Sequence, residues 1–275
     1  MSRDSRRKER ANALKRMSPE EFEQWKEQNR LSHGAINPES RDPAALMSMA
    51  RVLGTMFEDA KQSGTVDPAM EMFYTNVNTT IKGLADIPIA CKKGCSHCCH
   101  TWVSVSPPEI LYIAKHVKLQ NTDTVQKVRA AHEQTKTFDF DTRDQHPYAC
   151  PLLDQDVCTI YESRPMTCRL AASIDAEICG RTYHNISTEN VPMPMMHMTG
   201  RSAYAFALTA GLRKAGLPYR TYEWNAGLSR ALETEDAERR WLAGEDIFSG
   251  VLQESLDQFA DPNVERMYDR TFTTT

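Results

Sequence analysis

The 275-residue chain has no run approaching the ~20 consecutive apolar residues that a membrane span requires. Its start, Met1-Ser2-Arg3-Asp4-Ser5-Arg6-Arg7-Lys8, is charged and lacks the apolar core of a secretory signal. Both absences set the expectation of a cytoplasmic protein without a membrane partner. A bias of charge is missing too: the net charge is −4 and the pI about 6.1, which removes any global pull toward nucleic acid or anionic surfaces. The local exception is the first thirty residues, with nine Lys or Arg against six acidic residues. Arg3–Arg16 contains no aromatic side chain to stack on bases, so a solvated, partly helical extension over residues 1–40 is expected rather than a nucleic-acid arm. No repeat or low-complexity tract supports a solenoid or a fibre. An H-E-x-x-H helix, a phosphate-cradling glycine loop and a Ser/His/Asp arrangement are all missing, which argues against hydrolase and kinase chemistry and leaves no catalytic residue to name.

Cysteine is absent from the first 90 residues and from the last 96, and all eight fall between Cys91 and Cys179. In a reducing cytosol such a set does not read as a disulfide framework; clustered thiols there hold metal or do redox chemistry. The first group is Cys91-x3-Cys95-x2-Cys98-Cys99. Its spacing would align four sulfurs along one side of a helix, whereas Gly94 suggests a tight turn; either converges the thiols. Adjacent Cys98 and Cys99 cannot easily share one ion in an extended strand, so one ligates while the other packs or serves a second site. The second group is Cys150, Cys158, Cys168 and Cys179. Loop-closure entropy grows slowly with length, so the ~50-residue gap does not prevent the two groups from joining.

Four thiolates around Zn²⁺ or an oxidised four-iron cluster leave a charge of about −2. Lys92, Lys93, Arg164 and Arg169 adjoin the cysteines in sequence and are candidates to offset it; His97 and His100 are candidate substitute ligands. Zinc modules commonly show two C-x2-C knuckles, and this chain shows no such pair. The C-x3-C-x2-C run and the Cys150-Pro151 dipeptide are closer to cluster ligation, so an iron–sulfur cluster of the [4Fe-4S] kind is expected ahead of Zn²⁺.

The apolar fraction of 40% allows a packed interior, and the expected class is mainly α with a small β-hairpin: a compact central cysteine-rich module flanked by helices. Cap-plus-proline signals at Ser18-Pro19, Asp42-Pro43, Asp67-Pro68 and Ser106-Pro107 predict helix starts, with helices over Ala44–Ala60, Ala69–Leu84, to Val117, and over Asp123–Thr135. Cys150–Tyr161 reads as two extended runs around an acidic turn. Val191–Met198 reads as a Met/Pro-rich loop packing on the core, a reading preferred over a soft-metal site built from its thioethers and His197. Helices are then expected at Ser202–Ala215, Tyr222–Leu232 and Glu235–Leu242, the last continuing to Phe259, with Trp224 and Trp241 in the core. The expected division is an extension over 1–40, a helical region over 41–190 containing the cysteine module at 88–180, and a helical C-terminal region over 191–275.

Cys91-x3-Cys95-x2-Cys98-Cys99, Cys150-Pro151-x-Leu153, Cys158-x-Ile160-Tyr161 and Arg164-Pro165-x2-Cys168-Arg169 together closely resemble the YkgJ-like cysteine-cluster family of zinc- or iron-chelating proteins, over about residues 88–180. The resemblance implies a metal- or cluster-binding domain with ligands from both groups; Cys179 lies past the strongest part of the motif. It also raises an enzyme alternative, because flagellin lysine N-methylases carry a similar motif and are regarded as cluster-dependent methyl-transfer enzymes. No separate region here is assignable to flagellin or S-adenosylmethionine. A radical S-adenosylmethionine enzyme would need a βα series, and a thioredoxin-like use of Cys95-x2-Cys98 would need a preceding strand and a βαβ context; neither pattern is present. A third reading is a chelator that delivers its ion to a protein partner.

Overall fold

The computed structural model describes residues 43–120, 122–187, 189–253 and 258–273, together with Ser18. Apart from Ser18, the extension over 1–40 lies outside the described residues, so its Ser18-Pro19 helix start is not described, and Asp42 lies outside them too. The chain is mainly helical, with two small antiparallel strand pairs.

Helices α1 (Pro43–Ser63) and α2 (Asp67–Gly83) are packed together and joined by a turn at Gly64, whose φ of +78° suits glycine. Asp67 does not cap α2 as its sequence suggests. It is already the first helical residue, and its carboxylate instead meets Lys115, which also bridges to Glu238 at 2.7 Å. Helix α3 (Pro107–Gln120) starts where Ser106-Pro107 predicts: the Glu109 carboxylate accepts from the Ser106 hydroxyl at 2.7 Å and from its backbone N–H at 3.4 Å. Helix α4 (Thr122–Thr135) follows, then the short α5 (Phe140–Gln145), capped by Asp139 through the Thr142 N–H.

The expected hairpin is present as β2 (Leu153–Asp154) paired with β3 (Val157–Cys158), Leu153 opposite Cys158. Its two-residue turn puts Gln155 and Asp156 at φ of 45° and 62°, the left-handed pair that matches strand twist. Short helices α6 (Met166–Arg169) and α7 (Ala176–Tyr183) complete the central segment, α7 being capped by Asp175.

Helix α8 (Met195–Lys214) corrects the loop reading of Val191–Met198. Pro194 stands as an extended N-cap, and the methionines beyond it are good helix formers, so Met195–Met198 belong to the helix. Helix α8 lies so close to α1 that a Cβ on Gly211 would sit 2.8 Å from the Leu53 Cβ. Strand β4 (Tyr222–Glu223) pairs with β1 (Ser104–Val105) and leads into α9 (Trp224–Glu233), which Glu223 caps through the Ala226 N–H. Helix α10 (Ala237–Leu242) stops well short of Phe259. Gly244 takes φ +92°, its N–H bonds Trp241 O, and the Glu245 N–H bonds Arg240 O, a closure that ends the helix. Helix α11 (Pro262–Thr273) packs back on α1.

One hydrophobic cluster joins α1, α2, α3 and α8 to α10, with Phe57, Phe73, Ile110, Leu208 and Trp241 fully buried; Trp224 is buried in it as expected. From the central segment, Leu152, Ile160, Met166 and Leu170 reach this cluster, so the cysteine loops are draped over a helical platform.

Candidate metal centre

The first cysteine run is not a helix. Gly94 at φ +90° makes the turn its sequence suggests, with the Cys95 N–H on Lys92 O, and His97–His100 then forms one 3-10 turn. The run is tied to the hairpin, because buried Ser96 donates to Asp156 Oδ1 at 2.6 Å. It is also tied to the segment before the hairpin: the Cys150 N–H bonds Cys99 O at 2.8 Å and the Tyr148 N–H bonds His100 O at 3.1 Å. Arg143, only 2% exposed, clamps this junction by donating to His100 O, His146 O and Tyr148 O. The two cysteine groups therefore meet, as expected from loop closure.

On the other side, the Ala90 N–H bonds Ser173 O at 2.8 Å, and the Ser173 N–H donates to Cys91 Sγ at 3.2 Å. The Ser173 hydroxyl is also a hydrogen-bond partner of Cys179, and α7, which carries Cys179, packs on the 3-10 turn. Cys179 lies within electrostatic reach of Cys91, Cys95 and Cys98; Cys99 within reach of Cys150 and Cys168; Cys168 within reach of Cys98, Cys150 and Cys158. All eight cysteines are free thiols, and among the described residues no group of three or more His, Cys, Asp or Glu side chains stands in a metal-holding arrangement.

Burial pushes the thiols of Cys91, Cys158, Cys168 and Cys179 up, and takes Cys150 to about 11. Cys98 and Cys99 share an S–H···S contact, so Cys98 is the one held low and Cys99 the one held high. Opposing the burial, polar hydrogens point at sulfur. Cys150 receives the Leu152 N–H and the Trp224 indole N–H, Cys158 the Ile160 N–H, and Cys91 the Ser173 N–H. The donor two residues after each hairpin cysteine is set by the turn backbone itself.

Of the four basic residues adjoining the cysteines, Arg164 alone is aimed at them. Its guanidinium stacks on Tyr161 at 3.8 Å, its Nε is buried without a hydrogen-bond partner, and it favours the thiolates of Cys91, Cys98, Cys158 and Cys168. Arg169 is turned away, donating to Arg164 O, Glu162 O and Asn78 Oδ1 and stacking on Tyr74, so charge compensation is not its task. Lys92 and Lys93 are exposed. His97 and His100 face outward onto His184: His97 Nδ1 is 3.4 Å from His184 Nε2, and the His100 and His184 rings are 4.9 Å apart. The structure brings His184, Arg143 and Ser173 to the site, which sequence spacing missed. His197 is buried in the first turn of α8, its Nδ1 unpartnered.

A family model described as a "putative zinc- or iron-chelating domain", of CxxCxxCC type, matches residues 90–189, the same cysteine-cluster family that the motif resembles. No curated protein and no solved structure matches the chain. The matched span contains all eight cysteines, and the role it supports is metal binding. Among the described residues no helix is long and apolar enough to cross a membrane.

Proposed function

We propose that the cysteine module binds an iron–sulfur cluster of the [4Fe-4S] kind through thiolates from both cysteine groups, as a structural or electron-handling centre of a cytoplasmic protein. The observation that supports this most is the set of N–H donors aimed at Cys91, Cys150 and Cys158. A buried thiol that only packs behaves as a small hydrophobe and calls for no such donor, whereas a metal-bound thiolate keeps negative charge that N–H groups stabilise and tune. The unpartnered Arg164 Nε adds a cation where sulfur charge would gather. The unmatched C-x2-C pair and the C-x3-C-x2-C spacing favour a cluster over zinc, and the reducing cytoplasm is where free thiols persist. When bound, the cluster would supply one-electron redox capacity or a cross-link; the chain's own residues orient the sulfurs and offset their charge. Protein purified without oxygen is expected to be brown and to contain iron with acid-labile sulfide. Stoichiometric zinc would replace the cluster by a structural ion, and absence of any metal would refute the reading.

Protonation gives a second check. A thiol whose pKa rises on folding stabilises the folded chain fully below its unfolded value of about 8.5, and that contribution is lost as pH climbs through the folded value. For Cys150 the folded value is about 11. In metal-free chain the closed arrangement of the loops, which alone buries Cys150, should therefore give way further to the open one between roughly pH 9 and 11. Metal uptake releases thiol protons and should strengthen over the same rise. Denaturation midpoints and chelator competition across that range measure the two trends, and parallel trends would contradict the assignment.

A further inference from the structure

The eight cysteines hang on two sets of tethers. Successive residues of a 3-10 turn are rotated by about 120°, so Cys98 and Cys99 project in different directions from the same turn. On the Cys99 side, the Cys99 carbonyl accepts from the Cys150 N–H, β2 and β3 carry Cys158 back beside the Cys150 end, and Cys168 lies within electrostatic reach of Cys99, Cys150 and Cys158 as well as of Cys98 across the turn. On the Cys98 side, Ser173 is bonded through its N–H to Cys91 and through its hydroxyl to Cys179, while Cys179 reaches Cys91, Cys95 and Cys98.

Resting on the reading that these thiolates bind metal, we infer that the module holds two centres. One has Cys91, Cys95, Cys98 and Cys179 as ligands, and the other has Cys99, Cys150, Cys158 and Cys168. The vicinal pair is the partition between them. The S–H···S contact now joining Cys98 and Cys99 is exchanged for one metal–sulfur bond on each side, and both thiol protons leave to solvent as the metals bind. Both sets are prepared for negative charge: Ser173 N–H serves Cys91 in the first, and Leu152, Trp224 and Ile160 N–H groups serve Cys150 and Cys158 in the second. A single four-sulfur centre would use one set and leave the other's donors without a purpose. Arg164 fits between the two, since it acts on Cys91 and Cys98 of the first and on Cys158 and Cys168 of the second. Four thiolates leave about −2 on each centre, so a shared guanidinium lowers the repulsion between neighbouring centres. The assignment gives Cys179, beyond the strongest part of the motif, a ligand's role, and gives Cys99 a metal of its own.

The test counts metal centres, as clusters or as zinc ions, per full-length chain purified without oxygen. Wild type is expected to hold two. The double variant Cys91→Ser/Cys95→Ser and the double variant Cys150→Ser/Cys158→Ser should each hold one. Adding Cys98→Ser to the first double variant should leave its count at one, whereas adding Cys99→Ser should bring it to zero. One centre in the wild type overturns the division while leaving metal binding intact, and this count needs no variant to fold. Loss of all metal in both double variants, with helical circular dichroism retained, overturns it as well. A wild type without metal refutes both the division and the reading beneath it.

Discussion

Stripping the metal from anaerobically purified protein is expected to open the cysteine loops while leaving most helices folded. The reason lies in how little else holds those loops. Between residues 88 and 106 and between 146 and 190 the regular elements are two 3-10 turns, strands of two residues and helices of four and eight residues. Four-residue α6 and the two-residue strands are far below the length at which local helix or hairpin formation sustains itself. The apolar anchors of these loops are few: Val105, Leu152, Ile160, Met166 and Leu170 in the cluster, with Val103, Cys150 and Cys158 against it. By contrast, α1 packs along α8, and α3 and α4 pack on α9, independently of any sulfur. Structural zinc in small modules contributes about 10–16 kcal/mol near neutral pH, at least as much as these few side chains supply at about 1.5–3 kcal/mol each. Hydrogen exchange should therefore show amides at 88–106 and 146–190 losing protection on chelation, while 43–83 and 195–242 keep theirs. Uniform protection before and after chelation would mean that the loops stand without metal, and a global collapse would mean that the platform depends on them.

How much of this could be read from residues alone follows from where the information sits. The hairpin was legible because its acidic turn, flanking apolar residues and cysteines are local in sequence. The helix start at Ser106-Pro107 follows from a cap that acts within three residues. The end of α10 at Gly244 was equally local, and the expectation of a helix continuing to Phe259 overlooked the left-handed closure that a glycine permits. The pairing of β1 with β4 left no pattern, since two residues cannot show an alternation and the partners lie far apart in the chain. At the site, the cysteines carried their own signal, but the groups that aim and charge them did not. Arg143 and Ser173 act through carbonyls, amides and a hydroxyl of remote loops, so no spacing marks them. Arg164 and Arg169 adjoin the cysteines in the same way, yet only packing decides that one faces sulfur and the other faces α2.

That difference makes Arg169 the second large effect. Arg169 is 7% exposed, and its guanidinium joins three segments: it donates to Arg164 O at 2.7 Å, to Asn78 Oδ1 on α2 at 2.8 Å and to Glu162 O, while lying 4.3 Å over the Tyr74 ring. Tyr74 in turn donates to Glu109, whose carboxylate also accepts the Met166 N–H at 2.8 Å. The turn that carries Arg164 and Cys168 thus hangs from α2 and α3 by one buried polar network. Replacing Arg169 by Met leaves two backbone carbonyls and an amide oxygen without their donor, and removing one member of a buried charged network typically costs about 3–5 kcal/mol. Arg169→Lys should recover only part of this, because an ammonium lacks the planar fork that reaches three acceptors at once. Urea denaturation should show the midpoint falling with the slope unchanged. The network sits behind Cys168 and Arg164, and loss of groups that orient metal ligands commonly weakens binding by about 10–100-fold, so metal should exchange faster with a chelator in the variant. An Arg169→Met protein with wild-type stability would mean that solvent satisfies those carbonyls. Lower stability with unchanged metal exchange would mean that Arg169 supports the platform without positioning Cys168.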